Sequence, residues 1–552
     1  MDSDNGWVPG SWGRPGHLQN PTNVTRIARA IMDYDEGNHP QIVYYQAGIG
    51  TGIGLYNHLV GGGTGLGIDD NIREAYAFLA SNYAERREGV ESDSIFLLGF
   101  SRGAYTARSL GGLICALGVL KRHAMPHFYE MFYDWEMAGD KHHTPLFFKS
   151  YFKHHDDVHE VQPPIKLARD KSRRDEYLAL YKQYLLDLGL TQEAEIKCIG
   201  VWDTVGALGI PVNPVFQQFF PSLPSFIRKS RWFDTRLDSK VHHAFHALAL
   251  DERRSPYSPA LWEKRDDCTT RLKQVWFPGA HSNVGGSYSD AGTADITLAW
   301  MMDQLAGNTT EHPDGFVHHD WIKFDNEFVN QSYDCRLNYY SKHKLSAYKP
   351  WGRGKVYDSD TFPQSLAGQK MRVPGKYHRT VYETGISDPK HLLQDTNEYV
   401  HACVRVRIDL AGRGLEPDLD EGIGMSIPKL LSFCWHQITG AVGPRNLYQP
   451  QWKAGRKGGP LRDWRLEDGH ESHREPNLEL CVKKPERCDG VRWVYEGSDK
   501  VEGRVMLEDR LGPYETLLLR KDKEVADQVL FTNNEWRPVE RHDRSVRPAK
   551  TF

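Results

Sequence analysis

Apolar positions in this chain follow two alternating periods over the first 310 residues. "PTNVTRIARAIMDY" spaces Val24, Ile27, Ala28 and Ile31 along one helical face, with Pro21 and Thr22 at its start. "QIVYYQ" (residues 41–46) is a short β-branched and aromatic run that stops at a glycine-rich loop, which predicts a buried strand. "DDNIREAYAFLASNYAER" returns to helical spacing through Ile72, Tyr76, Leu79 and Tyr83, with Asp69 or Asp70 as its N-cap. "SIFLLGF", "AEIKCIGVWD" and "LKQVWFPG" predict further strands. Strand and helix in alternation argue for a mostly parallel sheet with helices on both faces.

From Lys121 to about Leu190 the strand signal disappears. "HFYEMFYDWEM", "TPLFFKSYFKHH" and "DEYLALYKQYLLDLGL" predict an aromatic-rich helical insertion above the sheet. Beyond about Gly307, Pro, Gly and charge increase. Short runs such as "DWRLED", "VRWVYEG" and "ETLLLRKD" predict a partly β-rich C-terminal region. The expected organisation is a catalytic domain over residues 1–310, with the insertion at about 121–190, followed by an unassigned region over 311–552.

Composition narrows the function classes. At 552 residues with 39% hydrophobic content the chain can bury a sizeable core. A net charge of −4, with basic residues interspersed among acidic ones, gives no footprint for nucleic acid. The 8 cysteines include no Cys-x-x-Cys, and the spacing of Cys481 and Cys488 suits no common zinc site, so they read as reduced thiols. The start, "MDSDNGWVPGSWGRPG", has no basic or apolar leader pattern, and no stretch reaches the roughly 18 apolar residues of a membrane span. The expectation is a cytoplasmic protein.

The chemistry concentrates at "GFSRG", where the apolar run at residues 95–100 meets a helix-tolerant one. A Gly-x-Ser-x-Gly on a sharp strand-to-helix turn exposes a nucleophilic serine, here Ser101. Such a serine needs a base and an orienting acid, each at the end of a later strand. "IKCIGVWDTVGALG" supplies Asp203, and "QVWFPGAHSNVGGSY" supplies His281. "VHHAFHALALDERR" offers His242, His243 and His246 on an expected helix face as the alternative base. "AGIGTGIG" and "GGGTGLGID" lack the strand-to-helix placement of a dinucleotide or phosphate cradle. Gly48 and Gly50 read instead as backbone shaping the pocket rim. "HHDDVHE" (residues 154–160) reads as a charged turn rather than a metal site.

"GFSRGAYTAR", "GVWDTVGALG", "FPGAHSNVGGSY" and "DITLAWMMDQ" resemble the catalytic domain of an α/β-hydrolase family that includes type VI secretion phospholipase effectors and many fungal members. "TNEYVHACVRVRIDL" is similar to a segment downstream in fungal members. The resemblance implies the same nucleophile, acid and base: Ser101, Asp203 and His281. It also implies an opening strand that ends in Asp-Gly-Thr-Trp, beside the nucleophile strand, whose loop helps form the oxyanion hole. On that resemblance this sequence is expected to start just past that tetrapeptide, at "MDSDNGW". "QIVYYQ" is then expected either to lie directly beside residues 95–100 or to stand one strand position away, and the second arrangement is expected.

These readings lead to a serine hydrolase that cleaves carboxylic esters of lipids through an acyl-Ser101 intermediate. The Arg102 backbone N–H would donate to the oxyanion, and neither metal nor organic cofactor is required. The aromatic run at residues 212–233 suggests peripheral membrane contact. The competing expectation is a non-catalytic interaction protein that keeps a hydrolase-like pocket.

Overall fold

The computed structural model describes residues 20–48, 68–85, 92–153, 163–205, 237–288, 290–307, 321–331, 370–380, 387–409, 463–468, 491–497 and 504–522, with shorter pieces elsewhere. Its main strands are β1 (Ile95–Phe100), β2 (Ile196–Trp202), β3 (Val241–Ala249), β4 (Arg271–Phe277), β5 (Glu398–Val400), β6 (Trp464–Asp468), β7 (Val491–Tyr495) and β8 (Val505–Glu508). They form one 8-stranded sheet in the order β6-β7-β8-β5-β4-β3-β2-β1. From β1 across to β8 every neighbouring pair is parallel, while β7 pairs antiparallel with both β8 and β6. Among the described residues the α-helices longer than four residues are α1 (Asn23–Ala30), α2 (Ile68–Asn82), α3 (Arg102–Leu117), α4 (Phe128–Glu136), α5 (Phe147–Lys153), α6 (Arg174–Asp187), α7 (His281–Gly285), α8 (Gly292–Leu305), α9 (Ala402–Asp409) and α10 (Pro513–Leu519).

Strand β1 shows why the helices divide between two faces. Successive side chains of a strand point to opposite sides. Ile95 and Leu97 pack with Tyr76 of α2, Leu113 of α3 and Tyr181 of α6. Phe100, with the partly buried Phe96 and Leu98, packs with Val24 and Ile27 of α1 and with Trp300 and Met301 of α8. Each such large apolar side chain contributes about 1.5–3 kcal/mol when fully buried. The fold is α/β, with a mostly parallel sheet in an α/β-hydrolase-like arrangement.

Helices α4, α5 and α6 lie between the two strands of a short ladder in which Val119 and Leu120 pair with Gln192 and Thr191. Buried Asp134 of α4 ties the three together. Its carboxylate accepts the N–H groups of Leu146 and Phe147 at 2.7 and 3.0 Å, and the Tyr181 hydroxyl at 2.9 Å. The C-terminal strands extend the same sheet beyond β4. Trp276 of β4 shares a core with Trp464 of β6 and Trp493 of β7.

Three sequence expectations are corrected. Residues 41–48 carry no strand, and Ile42 is 70% exposed. Their side chains fasten to neighbouring elements instead: Tyr44 stacks on Phe78 of α2 at 4.7 Å, and Gln46 donates to the Asn71 carbonyl at 3.3 Å. Val43 to Tyr45 therefore do not pair with β1, which ends the sheet order among the described residues. The segment holding His242, His243 and His246 is strand β3, not a helix. An i, i+4 spacing satisfies both periods, so the histidines alone could not separate them. "ETLLLRKD" is largely helix α10. Pro513 stands in its first turn, the Gly512 N–H donates to Glu515 Oε2 at 3.0 Å, and Asp303 accepts the Tyr514 and Glu515 N–H groups at 2.9 and 3.0 Å. Two smaller features match and shift, respectively. Thr22 caps α1 through its side chain, whereas Asp69 and Asp70 lie inside the first turn of α2.

Candidate active site

Ser101 occupies the turn between β1 and α3 with φ 59° and ψ −122°. That region costs a non-glycine residue about 1–3 kcal/mol and persists only where the surroundings enforce it. Here they do. A Cβ on Gly99 would lie 2.4 Å from the Gly103 carbonyl oxygen and 2.6 Å from the Ala104 Cα, so the strand can meet the helix this closely only through a glycine. The Ser101 N–H donates to the Trp202 carbonyl at 3.1 Å, which ties the turn to the end of β2. Arg102 opens α3.

Asp203 follows β2 directly, with φ 41° and no exposed surface. Its Oδ1 accepts the Ala249 N–H at 2.9 Å. Its Oδ2 lies 2.6 Å from His281 Nδ1, which must then carry the proton. Burial by itself would raise this acid, but the guanidinium of Arg372 and the hydrogen bond from His281 outweigh it and hold the carboxyl well below the usual range.

His281 is the first residue of α7, just past β4, and 4% exposed. Its backbone N–H donates to Glu252 Oε2 at 3.2 Å. Burial pushes Glu252 up, but the paired Arg254, with Nε 2.8 Å from Oε1, brings it down to about 2. The His281 ring packs against Phe100 at 4.6 Å and Tyr257 at 5.0 Å between centroids. Its Nε2 is buried and has no hydrogen-bond partner among the described residues. An imidazole held by a carboxylate on one nitrogen, with the other nitrogen unengaged, is arranged to accept a proton there.

Asn23 of α1 braces this loop. Its side-chain amide donates to the Val284 and Ala294 carbonyls at 3.1 and 2.9 Å. His246, the best-placed of the alternative histidines, is also buried, but it supports the neighbouring backbone. Its Nε2 accepts the Thr204 N–H at 3.0 Å and its Nδ1 faces Gln274 Oε1 at 3.2 Å. Burial, reinforced by Arg108, lowers its pKa to about 3, so it is neutral. His242 is half-exposed beside Glu195, and His243 packs against Trp321 at 4.8 Å.

Gly48 is half-buried. Gly50, residues 154–160 and residues 212–233 lie outside the described residues. No group of three or more His, Cys, Asp or Glu among the described residues is arranged to hold a metal ion. No helix among them is long and apolar enough to cross a membrane.

Sequence reasoning missed Arg372 and Glu252. Arg372 is 3% exposed, and both of its terminal nitrogens meet the Asp203 carboxylate. It sits in a Pro- and Gly-bearing stretch without periodicity, where no local pattern marks an arginine as buried.

A family model described as type VI secretion, phospholipase effector Tle1-like, catalytic domain matches residues 8–304. An uncharacterized protein of Saccharomyces cerevisiae is 24% identical over 267 residues, which is 44% of this chain and 31% of that protein. The chain thus spans about a third of the length of the curated relative it matches.

Proposed function

The chain belongs to the Tle1-like phospholipase effector catalytic domain family, and on that premise we propose that it hydrolyses carboxylic esters of lipids. In this reading Ser101 attacks the ester carbonyl and forms an acyl-serine intermediate. His281 Nε2 takes the hydroxyl proton and returns it to the leaving alcohol. Asp203 holds the Nδ1–H tautomer and stabilises the imidazolium. The Arg102 backbone N–H, at the start of α3, is assigned as one oxyanion donor. A water molecule activated by His281 then releases the fatty acid.

The observation that carries this reading is the approach of His281 Nδ1 to Asp203 Oδ2 at 2.6 Å, across 78 residues of sequence, with the imidazole packed at 4.6 Å on the ring of Phe100, the residue before a serine at φ 59°. A positive φ at a serine is strained, and a buried histidine–carboxylate pair forgoes solvation of its charges. A lipid substrate is favoured by the family description.

The test is a fluorophosphonate probe combined with a panel of phospholipids and short p-nitrophenyl esters. The wild-type chain is expected to label at Ser101, and Ser101→Ala to lose both labelling and hydrolysis. A folded wild-type chain that neither labels nor hydrolyses any ester would favour the non-catalytic reading. Flotation with neutral and anionic vesicles tests membrane contact separately.

A further inference from the structure

We infer that Arg372, which lies beyond the family match, is a positioning residue that locks the Asp203 carboxylate in the orientation His281 requires. The inference rests on the hydrolase reading above. Arg372 donates from Nη1 to Asp203 Oδ1 and to the Ala249 carbonyl at 2.8 Å. From Nη2 it donates to Asp203 Oδ2 at 3.0 Å and to the Tyr257 carbonyl at 2.6 Å. With the Ala249 N–H also on Oδ1, the planar fork leaves Asp203 no rotation that keeps its bonds. The acceptor direction toward His281 Nδ1 is fixed as a result.

The C-terminal part of the sheet positions this arginine. The Lys370 N–H donates to the Arg253 carbonyl at 2.8 Å, on the loop that also carries Glu252. On the other side the Gly375 N–H donates to Glu398 of β5 at 3.0 Å, and Arg504 donates to the Gly375 carbonyl at 2.6 Å. Gly375 has φ 75°, and a Cβ there would stand 3.0 Å from the Trp464 ring. Residues 370–376 thus span from the His281 surroundings to β5 and β6, and the C-terminal region completes a site whose other members lie within residues 8–304.

The charge acts as well. Asp203 is a buried anion against the imidazole, and Arg372 is the cation that neutralises it. Among the described residues, the remaining charged and titratable groups near the pair are Glu252 with its partner Arg254, neutral His246, Arg108 beside His246, and the hydroxyls of Tyr257 and Tyr377. Removing Arg372 leaves that buried carboxylate less neutralised.

The experiment compares wild type, Arg372→Gln and Arg372→Lys in the full chain, with a soluble p-nitrophenyl ester. Active sites are titrated by fluorophosphonate so that rates refer to folded enzyme. Arg372→Gln is expected to lower kcat about 100-fold with little change in KM, and to move the acid limb of kcat/KM to higher pH. Arg372→Lys keeps the charge but not the fork, so kcat falls while the acid limb stays near its wild-type position. A folded Arg372→Gln with wild-type kcat and acid limb would overturn the inference, even if its stability fell. Should Arg372→Gln not fold, Arg372→Lys decides: unchanged kcat overturns the fork's role. Should the wild type itself neither label nor turn over, the hydrolase reading fails instead. The inference is then judged by the 1H NMR resonance of the His281 Nδ1–H that faces Asp203, which loss of the fork is expected to shift or abolish; a resonance unchanged in both Arg372→Gln and Arg372→Lys removes it.

Discussion

A Cβ placed on Gly285 would fall 2.0 Å from Cε2 of Phe100. The short helix that begins with His281 and the strand that ends just before Ser101 therefore meet through a glycine, with no space for a methyl group. Phe100 also packs on the His281 ring, so the contact sets how far that imidazole stands from the serine turn. Gly285→Ala must displace a ring that is 2% exposed. It is expected to lower the rate of fluorophosphonate labelling at least about 100-fold, with an overpacking penalty of about 1–3 kcal/mol. Wild-type labelling in Gly285→Ala would mean that the two elements move apart freely, contrary to this packing.

The backbone at Ser101 yields a prediction in which stability and activity move in opposite directions. At φ 59° and ψ −122° a glycine is unstrained and a serine is not. Ser101→Gly is expected to abolish hydrolysis while raising the unfolding free energy above that of Ser101→Ala by about 1 kcal/mol. Urea denaturation of both variants provides the check, and a less stable Ser101→Gly would show that the turn carries no strain.

His246 predicts a pH dependence of stability. Its folded pKa is about 3, against 6.5 for an unperturbed histidine. Between those values the unfolded chain binds a proton that the folded chain excludes. The contribution is fully present above about pH 6.5 and is lost as pH falls toward 3, at up to about 1.4 kcal/mol per pH unit. His246→Gln is expected to be less stable than wild type at pH 7, with the gap closing by pH 4.5. A gap that stays constant from pH 7 to 4.5 would rule out a neutral buried imidazole.

Ending the chain at residue 310 removes β5, one of the two strands that flank β4. Gln274 to Trp276 pair with Glu398 to Val400 of β5, and Trp276 is fully buried. Such a fragment also loses Arg372. It is expected to be recovered as aggregate, because the buried strand β4 would become an open edge. A soluble, monomeric 1–310 fragment that labels at the wild-type rate would show the C-terminal strands to be dispensable.

Local regularity made much of this protein legible in its sequence. The strands β1 and β2 are short, mostly apolar runs and β4 ends in one, and the helices α1, α3 and α6 keep their period or their caps, so nearest-neighbour physics suffices to find them. Ser101, Asp203 and His281 were visible because each stands where an apolar run breaks into a glycine-bearing turn. What escaped depends on contacts distant in sequence. "QIVYYQ" has strand composition, but a strand forms only beside a ladder partner, and its side chains find α2 and the loop near Lys323 instead. The pair His242 and His246 fits either period, and only the neighbouring strands β2 and β4 decided between them. Arg372 lies 169 residues from Asp203 and has no pattern of its own. Its burial is set by a carboxylate, two carbonyl oxygens and a C-terminal sheet that come together only when the whole chain has folded.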